Sequence, residues 1–147
     1  MPRFVVDTQI FWQGFAQLLN GQSLNAKFVR AGLLEGRYEL LYSAAILQEY
    51  LETPVNYPEM SRRLRITAER LELTARLVTS LGCVVTVTTE VQACRDPGDD
   101  MFLACALDGS ADAIVSADRD LLDMQEYEGI AILSVPQAWR LLQHPAG

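Results

Sequence analysis

The sequence predicts an α/β fold in which a mainly parallel sheet is covered by helices on both faces. Short apolar runs of strand length alternate with longer stretches of helical periodicity along the 147 residues. Half of the residues are hydrophobic, which is enough for a continuous core. We find no internal repeat and no interdomain linker, so we expect a single domain over residues 1–147.

Five apolar runs are predicted to form the strands, and together they give a sheet of about five strands. They cover residues 3–8, 38–42, 83–87, 112–116 and 130–133. The third run is the clearest strand because it is rich in β-branched residues. The first run ends in an acid, Asp7.

The intervening segments are predicted to be helices. The helical stretches are residues 10–19, 23–34, a segment from Ser43 through Leu51, 62–81, 101–107, a short helix from Leu121, and 136–142. The segment 62–81 should be the longest helix, and Pro54 and Pro58 predict a loop before it.

The charge balance is acidic, with Asp+Glu 19 against Lys+Arg 12 and a net charge of −7. This argues against a protein that holds nucleic acid by bulk positive charge, but it is compatible with clustered carboxylates that bind cations. The cysteines Cys83, Cys94 and Cys105 are odd in number and form no C-x-x-C pair, so we expect a reducing, cytoplasmic location. We recognise no secretory signal or membrane-spanning run, and expect no membrane partner.

Acids follow two of the predicted strands. Asp7 comes directly after the first strand, and Asp118 follows the strand that ends at Ser116. In an open parallel sheet, ligands bind beyond the carboxyl ends of the strands, so both acids are candidate site residues. Each could instead cap the helix that follows it, and Asp120 could equally be a solvated helix residue.

Two further acidic positions extend the pattern. Asp96, Asp99 and Asp100 precede an apolar helix, where the helix dipole would be satisfied by one acid. Glu49 lies beside an apolar helical stripe and could alternatively be an ordinary helix-edge residue. If these acids converge in one cleft, they would repel one another unless they bind protons or a cation.

Carboxylates without histidine favour Mg²⁺ or Mn²⁺ over zinc, and the only histidine, His144, lies near the C-terminal end. Carboxylate sites of this kind commonly hydrolyse phosphodiesters with metal-activated water. The acids therefore indicate a metal-dependent phosphodiesterase, in which the cations would also allow an acidic protein to bind RNA.

The motifs that carry these acids resemble the PIN-domain family and, more narrowly, its bacterial VapC-like toxin branch. The matching segments are 5–8, 43–51, 96–103 and 114–122, in the family's order and across nearly the whole chain. The last two are the more specific. The resemblance implies a three-layer α/β/α domain with Mg²⁺- or Mn²⁺-dependent endoribonuclease activity.

By motif match, the resemblance assigns the metal-binding and catalytic acids as Asp7, Glu49, Asp99 and Asp118. Auxiliary roles fall to Thr8, Ser116 and Asp120, and Asp100 could take the place of Asp99. On a helix, neighbouring residues point about 100° apart, so Asp99 and Asp100 should not both face one cleft. The implied partners are an RNA substrate, a small antitoxin protein and a second copy in a homodimer.

Three other interpretations start from the same early acids. A haloacid-dehalogenase-type phosphatase needs an aspartate where this chain has Gln9, and it also needs a late lysine. A response-regulator receiver domain needs a late lysine too, whereas Lys27 is the only lysine. The serious alternative is a PIN-like module that binds RNA or protein and is catalytically weakened; Gln9, where the family usually has asparagine, favours it slightly.

Overall fold

The computed structural model describes residues 1–144 and shows a six-stranded sheet between helices, a three-layer α/β/α arrangement as expected. The strand order is β3-β2-β1-β4-β6-β5, and only the β5–β6 pair is antiparallel. The strands are β1 (Arg3–Val6), β2 (Glu39–Tyr42), β3 (Cys83–Val84), β4 (Ala113–Val115), β5 (Glu126–Tyr127) and β6 (Ile130–Leu133).

Eight α-helices are found in the described part of the chain. They are α1 (Thr8–Phe15), α2 (Leu24–Leu33), α3 (Ala44–Asn56), α4 (Pro58–Leu64), α5 (Ala68–Leu81), α6 (Asp100–Asp108), α7 (Arg119–Met124) and α8 (Val135–Gln143). A short 3₁₀ turn, Pro97–Asp99, leads into α6. None of these helices within residues 1–144 has the length and apolarity needed to span a bilayer.

The sheet places a topological switch point at its centre. From β1 the chain builds outward through β2 and β3 on one side, and then returns to add β4 on the other side. Val6 of β1 is in register with Val115 of β4, so the residues after these two strands emerge side by side. The carboxyl ends of β1 and β4 therefore form the crevice in which this class of sheet binds ligands.

The sixth strand was missed because β5 is only two residues long. Glu126 and Tyr127 pair with Ala131 and Ile130 in a tight hairpin. The turn residues Glu128 and Gly129 both have positive φ, 51° and 83°, as two-residue hairpin turns often require. Glutamate rarely adopts positive φ, so its presence at position 128 did not predict a turn.

The loop predicted around Pro54 and Pro58 is wrong. Pro54 lies inside α3, and Pro58 occupies the first turn of α4, where proline is well tolerated. Because Pro54 has no N–H, the carbonyl of Tyr50 is left without a helical donor. The indole Nε1 of Trp12 donates to that carbonyl at 2.7 Å, which offsets the loss.

The single helix predicted over residues 62–81 is also wrong. Arg65 adopts a left-handed conformation with φ 56°, which ends α4. Thr67 then starts α5, because its side chain accepts a hydrogen bond from the N–H of Arg70. The apolar periodicity continues through both helices, so it concealed the break.

The strand predicted over residues 83–87 is shorter than expected. After Val84, the N–H of Val85 still donates to Tyr42, but the chain then leaves the sheet. The N–H groups of Thr88 and Thr89 donate to the carboxylate of Asp108 at 2.7 and 2.9 Å. The Asp108 carboxylate thus accepts the backbone hydrogen bonds that a neighbouring strand would otherwise accept.

Candidate functional site

Asp7 is the most buried acid at the switch point, with 6% of its surface exposed. Its Oδ1 accepts the N–H of Ile10 at 2.9 Å and so caps α1. Its Oδ2 accepts the hydroxyl of Ser116 and the N–H of Ala117, at 2.5 and 3.1 Å. The capping interpretation is therefore correct, but it uses only one of the two carboxylate oxygens.

Burial raises the pKa of Asp7 above its ordinary value, and the nearby charge of Asp118 acts in the same direction. The hydrogen bonds from Ser116, Ile10 and Ala117 lower the pKa but do not outweigh the burial. Asp7 is thus a carboxylate whose negative charge is only partly stabilised by its surroundings.

Ser116 connects the ends of the two central strands. Its hydroxyl donates to Asp7 Oδ2, and its Oγ accepts the N–H of Asp118 at 2.9 Å. The side chain is buried, with 1% of its surface exposed. One hydroxyl therefore fixes the carboxylate of Asp7 and the backbone of Asp118 relative to each other.

Asp118 caps α7, since its Oδ1 accepts the N–H of Asp120 at 2.8 Å. Its charge raises the pKa values of both Asp7 and Asp99. Asp118 is therefore the acid whose charge affects both of the other two.

Asp99 lies at the end of the 3₁₀ turn that precedes α6. Partial burial raises its pKa to about 6, with further contributions from the charges of Asp118 and Asp96, a hydrogen bond with Asp118, and the charge of Asp7. The charges of Asp7 and Asp118 thus both act on Asp99, although the three acids are distant in the sequence.

Asp100 points away from this cluster. Its Oδ1 accepts the N–H groups of Cys94 and Ala93, at 2.8 and 3.1 Å, and holds the preceding loop against α6. Burial tends to raise the pKa of Asp100, but these hydrogen bonds lower it overall. The structure therefore separates the two neighbouring acids, with Asp99 toward the other acids and Asp100 toward the loop.

Glu49 is half-buried on α3. The next residue, Tyr50, donates its hydroxyl to the carbonyl of Val6 at 2.5 Å, which ties α3 to the end of β1. Within residues 1–144, the Glu49 carboxylate has one side-chain hydrogen bond, from the hydroxyl of Thr53 at 3.3 Å. The Tyr50 contact places α3 beside the end of β1, but within residues 1–144 no hydrogen bond or ion pair joins the Glu49 carboxylate to the three aspartates.

The remaining predicted residues take different positions. Thr8 is the first residue of α1, and its Oγ1 is a buried polar atom without a hydrogen-bond partner among the described residues. Asp120 is exposed and forms an ion pair with Arg95 at 3.6 Å. Gln9, also in the first turn of α1, is exposed.

Two residues near the crevice were not predicted from the sequence. Arg95 was overlooked because the surrounding acids dominate the motif. Tyr50 was interpreted only as part of an apolar stripe. Arg95 immediately precedes Asp96, and that adjacency was the only available signal. The hydroxyl contact from Tyr50 to Val6 had no signal in the sequence.

The donor chemistry of the crevice fits a divalent cation. Raised carboxylate pKa values and the orphaned Thr8 hydroxyl indicate polar groups that lack their full complement of partners. Within residues 1–144, however, no three His, Cys, Asp or Glu side chains are close enough together to form a ready-made metal centre. The oxygens would hold Mg²⁺ or Mn²⁺ only if they drew closer together.

Comparison with known proteins gives one family match. A PIN-domain family model matches residues 3–120, which contain all the acids described above. PIN domains are generally nucleases and typically use divalent metal ions. No curated protein matches the chain.

Proposed function

The chain belongs to the PIN-domain family, and from that premise we propose that it is a metal-dependent endoribonuclease, the toxin of a toxin–antitoxin pair. The observation that carries the nuclease proposal is the placement of Asp7 and Asp118 at the switch point of the sheet, bridged by Ser116, with Asp99 within range of both charges. Like charges gathered in a partly buried site are costly unless they bind a ligand of opposite charge.

We assign the metal-holding role to Asp7, Asp99 and Asp118, and Glu49 remains a fourth candidate by its motif match alone. Asp99 is favoured over Asp100 because the carboxylate of Asp100 is already engaged by the loop. A bound Mg²⁺ or Mn²⁺ would supply a water of lowered pKa and neutralise charge on the phosphate.

The protein's own residues set the orientation of the site. The N–H groups of Ile10 and Ala117 and the hydroxyl of Ser116 fix both carboxylate oxygens of Asp7. Ser116 also accepts the N–H of Asp118, so it fixes the backbone of Asp118 relative to Asp7. We assign Ser116 as a positioning residue, and Thr8 as a donor or acceptor whose hydroxyl remains free for a ligand or its water.

The direct test of the nuclease proposal is cleavage of a labelled single-stranded RNA by the purified protein with Mn²⁺, beside an EDTA control. We expect internal cleavage that EDTA stops and that added Mn²⁺ restores. If the folded protein, free of any antitoxin, leaves the RNA intact with both Mn²⁺ and Mg²⁺, the nuclease proposal is wrong. The catalytically weakened binding module would then be the better description.

An apolar cleft supports the proposed antitoxin partner. A cavity of about 730 Å³ lies where the end of α1 and the following segment meet α5, and its lining includes Phe15, Leu19, Leu34 and Leu73. Leu19 is 77% exposed and Leu73 is 50% exposed. Large leucines exposed together are typical of an interaction surface.

The charges at this cleft favour an acidic partner. Arg70 is exposed and lines the cleft, and the exposed residues Arg62, Arg63 and Arg65 lie on or beside the neighbouring α4. We therefore propose that the cleft binds an amphipathic antitoxin helix, with apolar residues on the leucines and acids beside the arginines.

The partner proposal is tested by expression of this chain with and without the product of a short reading frame that neighbours its gene; the absence of such a frame would count against the toxin role. The wild type should arrest growth, and the small protein should relieve the arrest. Leu73→Asp should arrest growth equally but resist relief, whereas Val55→Asp, at an exposed site outside the cleft lining, should behave as wild type. Relief of the Leu73→Asp arrest would contradict the assignment of the cleft.

A further inference from the structure

The acidic crevice has a cation at its edge whose role remains to be explained. In residues 1–144 four ion pairs are found, and only the pair between Arg95 and Asp120 involves a residue next to the acidic cluster. Its nitrogen and oxygen are 3.6 Å apart, and the two side chains are 85% and 49% exposed. Such a long and exposed pair contributes little to stability, roughly 0–1 kcal/mol for pairs of this kind.

The backbone around Arg95 is fixed although its side chain is exposed. Asp100 accepts the N–H of the preceding residue, Cys94. Asp96, the following residue, caps the 3₁₀ turn by accepting the N–H of Gly98 at 2.9 Å. The Cα of Arg95 is thus held between two anchored residues while its guanidinium remains free to exchange partners.

Several other arginines are engaged elsewhere. Arg3 pairs with Glu39 at the opposite end of β1, Arg30 binds the carbonyls of Leu18 and Gly21, and Arg37 contacts the carbonyl of Leu142. An RNA strand that approaches the acids meets a negative surface, because the chain has a net charge of −7. A cation anchored at the rim is therefore where a phosphate would first be attracted.

We propose that Arg95 leaves Asp120 and binds a backbone phosphate of the RNA, so that the strand is positioned over the acidic crevice. The planar guanidinium can donate two parallel hydrogen bonds to a phosphate, which an ammonium group cannot do. The weak contact with Asp120 holds the arginine at the rim until the phosphate replaces it. This inference rests on the proposed function and names the residue that positions its substrate.

The test measures RNA binding in an Asp7→Asn background, so that cleavage does not consume the probe. Binding of a fluorescent single-stranded RNA is titrated at several NaCl concentrations in the presence of Mg²⁺. Adding Arg95→Ala should weaken binding about tenfold and reduce the slope of log K against log salt by about 0.7, the value for one lost phosphate contact on a single strand. Arg95→Lys should keep the slope and lose part of the affinity.

Arg76→Ala is the matched control, because Arg76 also pairs with an exposed carboxylate, Glu72, at 2.9 Å on α5. It should leave both the affinity and the slope unchanged. In the otherwise wild-type enzyme, Arg95→Ala should raise KM for RNA with little change in kcat.

The two proposals fail in different ways. If the wild type cleaves RNA but Arg95→Ala alters neither the salt slope nor KM, the inference about Arg95 is overturned and the nuclease stands. If the wild type does not cleave but Arg95→Ala still reduces the slope, the phosphate contact stands and the nuclease proposal fails. If the Asp7→Asn protein binds no RNA even at low salt, the weakened metal site accounts for that loss, and the KM of Arg95→Ala in the otherwise wild-type enzyme decides the inference: an unchanged KM overturns it.

Discussion

The two ends of β1 handle charge in opposite ways. At the amino end, the guanidinium of Arg3 pairs with Glu39 and donates to the carbonyl of Gly109, and the N–H of Arg3 donates to Asp112. At the carboxyl end, the charge of Asp118 raises the pKa values of Asp7 and Asp99, and the charge of Asp7 also raises the pKa of Asp99. In the described part of the chain, no ion pair joins these three acids to a cation.

This difference separates structural charges from candidate functional charges. A fold can surround a charged residue with partners, as it does at Arg3. The contacts of Arg3 with Glu39, Gly109 and Asp112 then connect β1 to its neighbours in the fold. Acids that are instead left to repel one another reduce stability, so their presence at one end only is typical of a binding site. Substitutions of the same chemical kind at the two ends should therefore have unequal effects.

The largest expected contrast is between Asp7→Asn and Asp112→Asn. Asp7→Asn should lower the rate of RNA cleavage by more than about 100-fold. Changing a residue that only supports a metal ligand costs up to about 100-fold, and Asp7 is proposed to be a ligand itself. Asparagine caps helices about as well as aspartate, so α1 should remain folded. Asp112→Asn should leave the rate within about twofold of wild type.

Cleavage rates and circular dichroism spectra of the two variants check this contrast. Near-equal rates for folded Asp7→Asn and the wild type would remove Asp7 from the site. A large loss in Asp112→Asn would show that the amino end of β1 is not merely structural.

A smaller effect is expected for Thr8→Val, which replaces a hydroxyl by a methyl group of similar shape. The Oγ1 of Thr8 is buried without a partner among the described residues, so its loss should change the free energy of unfolding by less than about 0.5 kcal/mol. If the hydroxyl serves a bound ligand, cleavage should fall about tenfold. Denaturant unfolding and cleavage rates, measured together, distinguish the two roles: an unchanged cleavage rate would exclude a functional hydroxyl.

The smallest expected effects are opposite changes in stability at Asp99 and Asp100 without metal. The pKa of Asp99 is raised to about 6 in the folded state, so its charge disfavours folding increasingly as the pH rises from about 4 to 6. Asp99→Asn should therefore melt higher than wild type at pH 7.5, and this advantage should shrink toward pH 4.

Asp100 has a lowered pKa, so its charge favours folding above its unfolded pKa, and that contribution is lost as the pH falls. Asp100→Asn should accordingly melt lower than wild type at pH 7.5. Thermal melts of the two variants in EDTA, from pH 4.5 to pH 7.5, check both signs. A lower melting temperature for Asp99→Asn than for wild type at pH 7.5 would contradict the interpretation that the ionised Asp99 carboxylate destabilises the folded state.

The sequence predicted the sheet class and the residues at its switch point because strand-end acids and apolar runs are local signals. Asp7 and Asp118 follow short buried strands, and parallel pairing brings them together. The choice between Asp99 and Asp100 could not be made from the sequence, since it depends on which carboxylate the loop N–H groups reach. The break at Arg65 was hidden because a left-handed arginine has no sequence signature.

The most direct test of the account is calorimetric titration of the protein with Mn²⁺. The account predicts that wild type and Asp112→Asn bind Mn²⁺ with equal affinity, and that Asp7→Asn and Asp99→Asn bind it at least about tenfold more weakly. If all four proteins bind Mn²⁺ equally, or if the wild type does not bind it, the unbalanced acids at the carboxyl end of β1 are not a metal site.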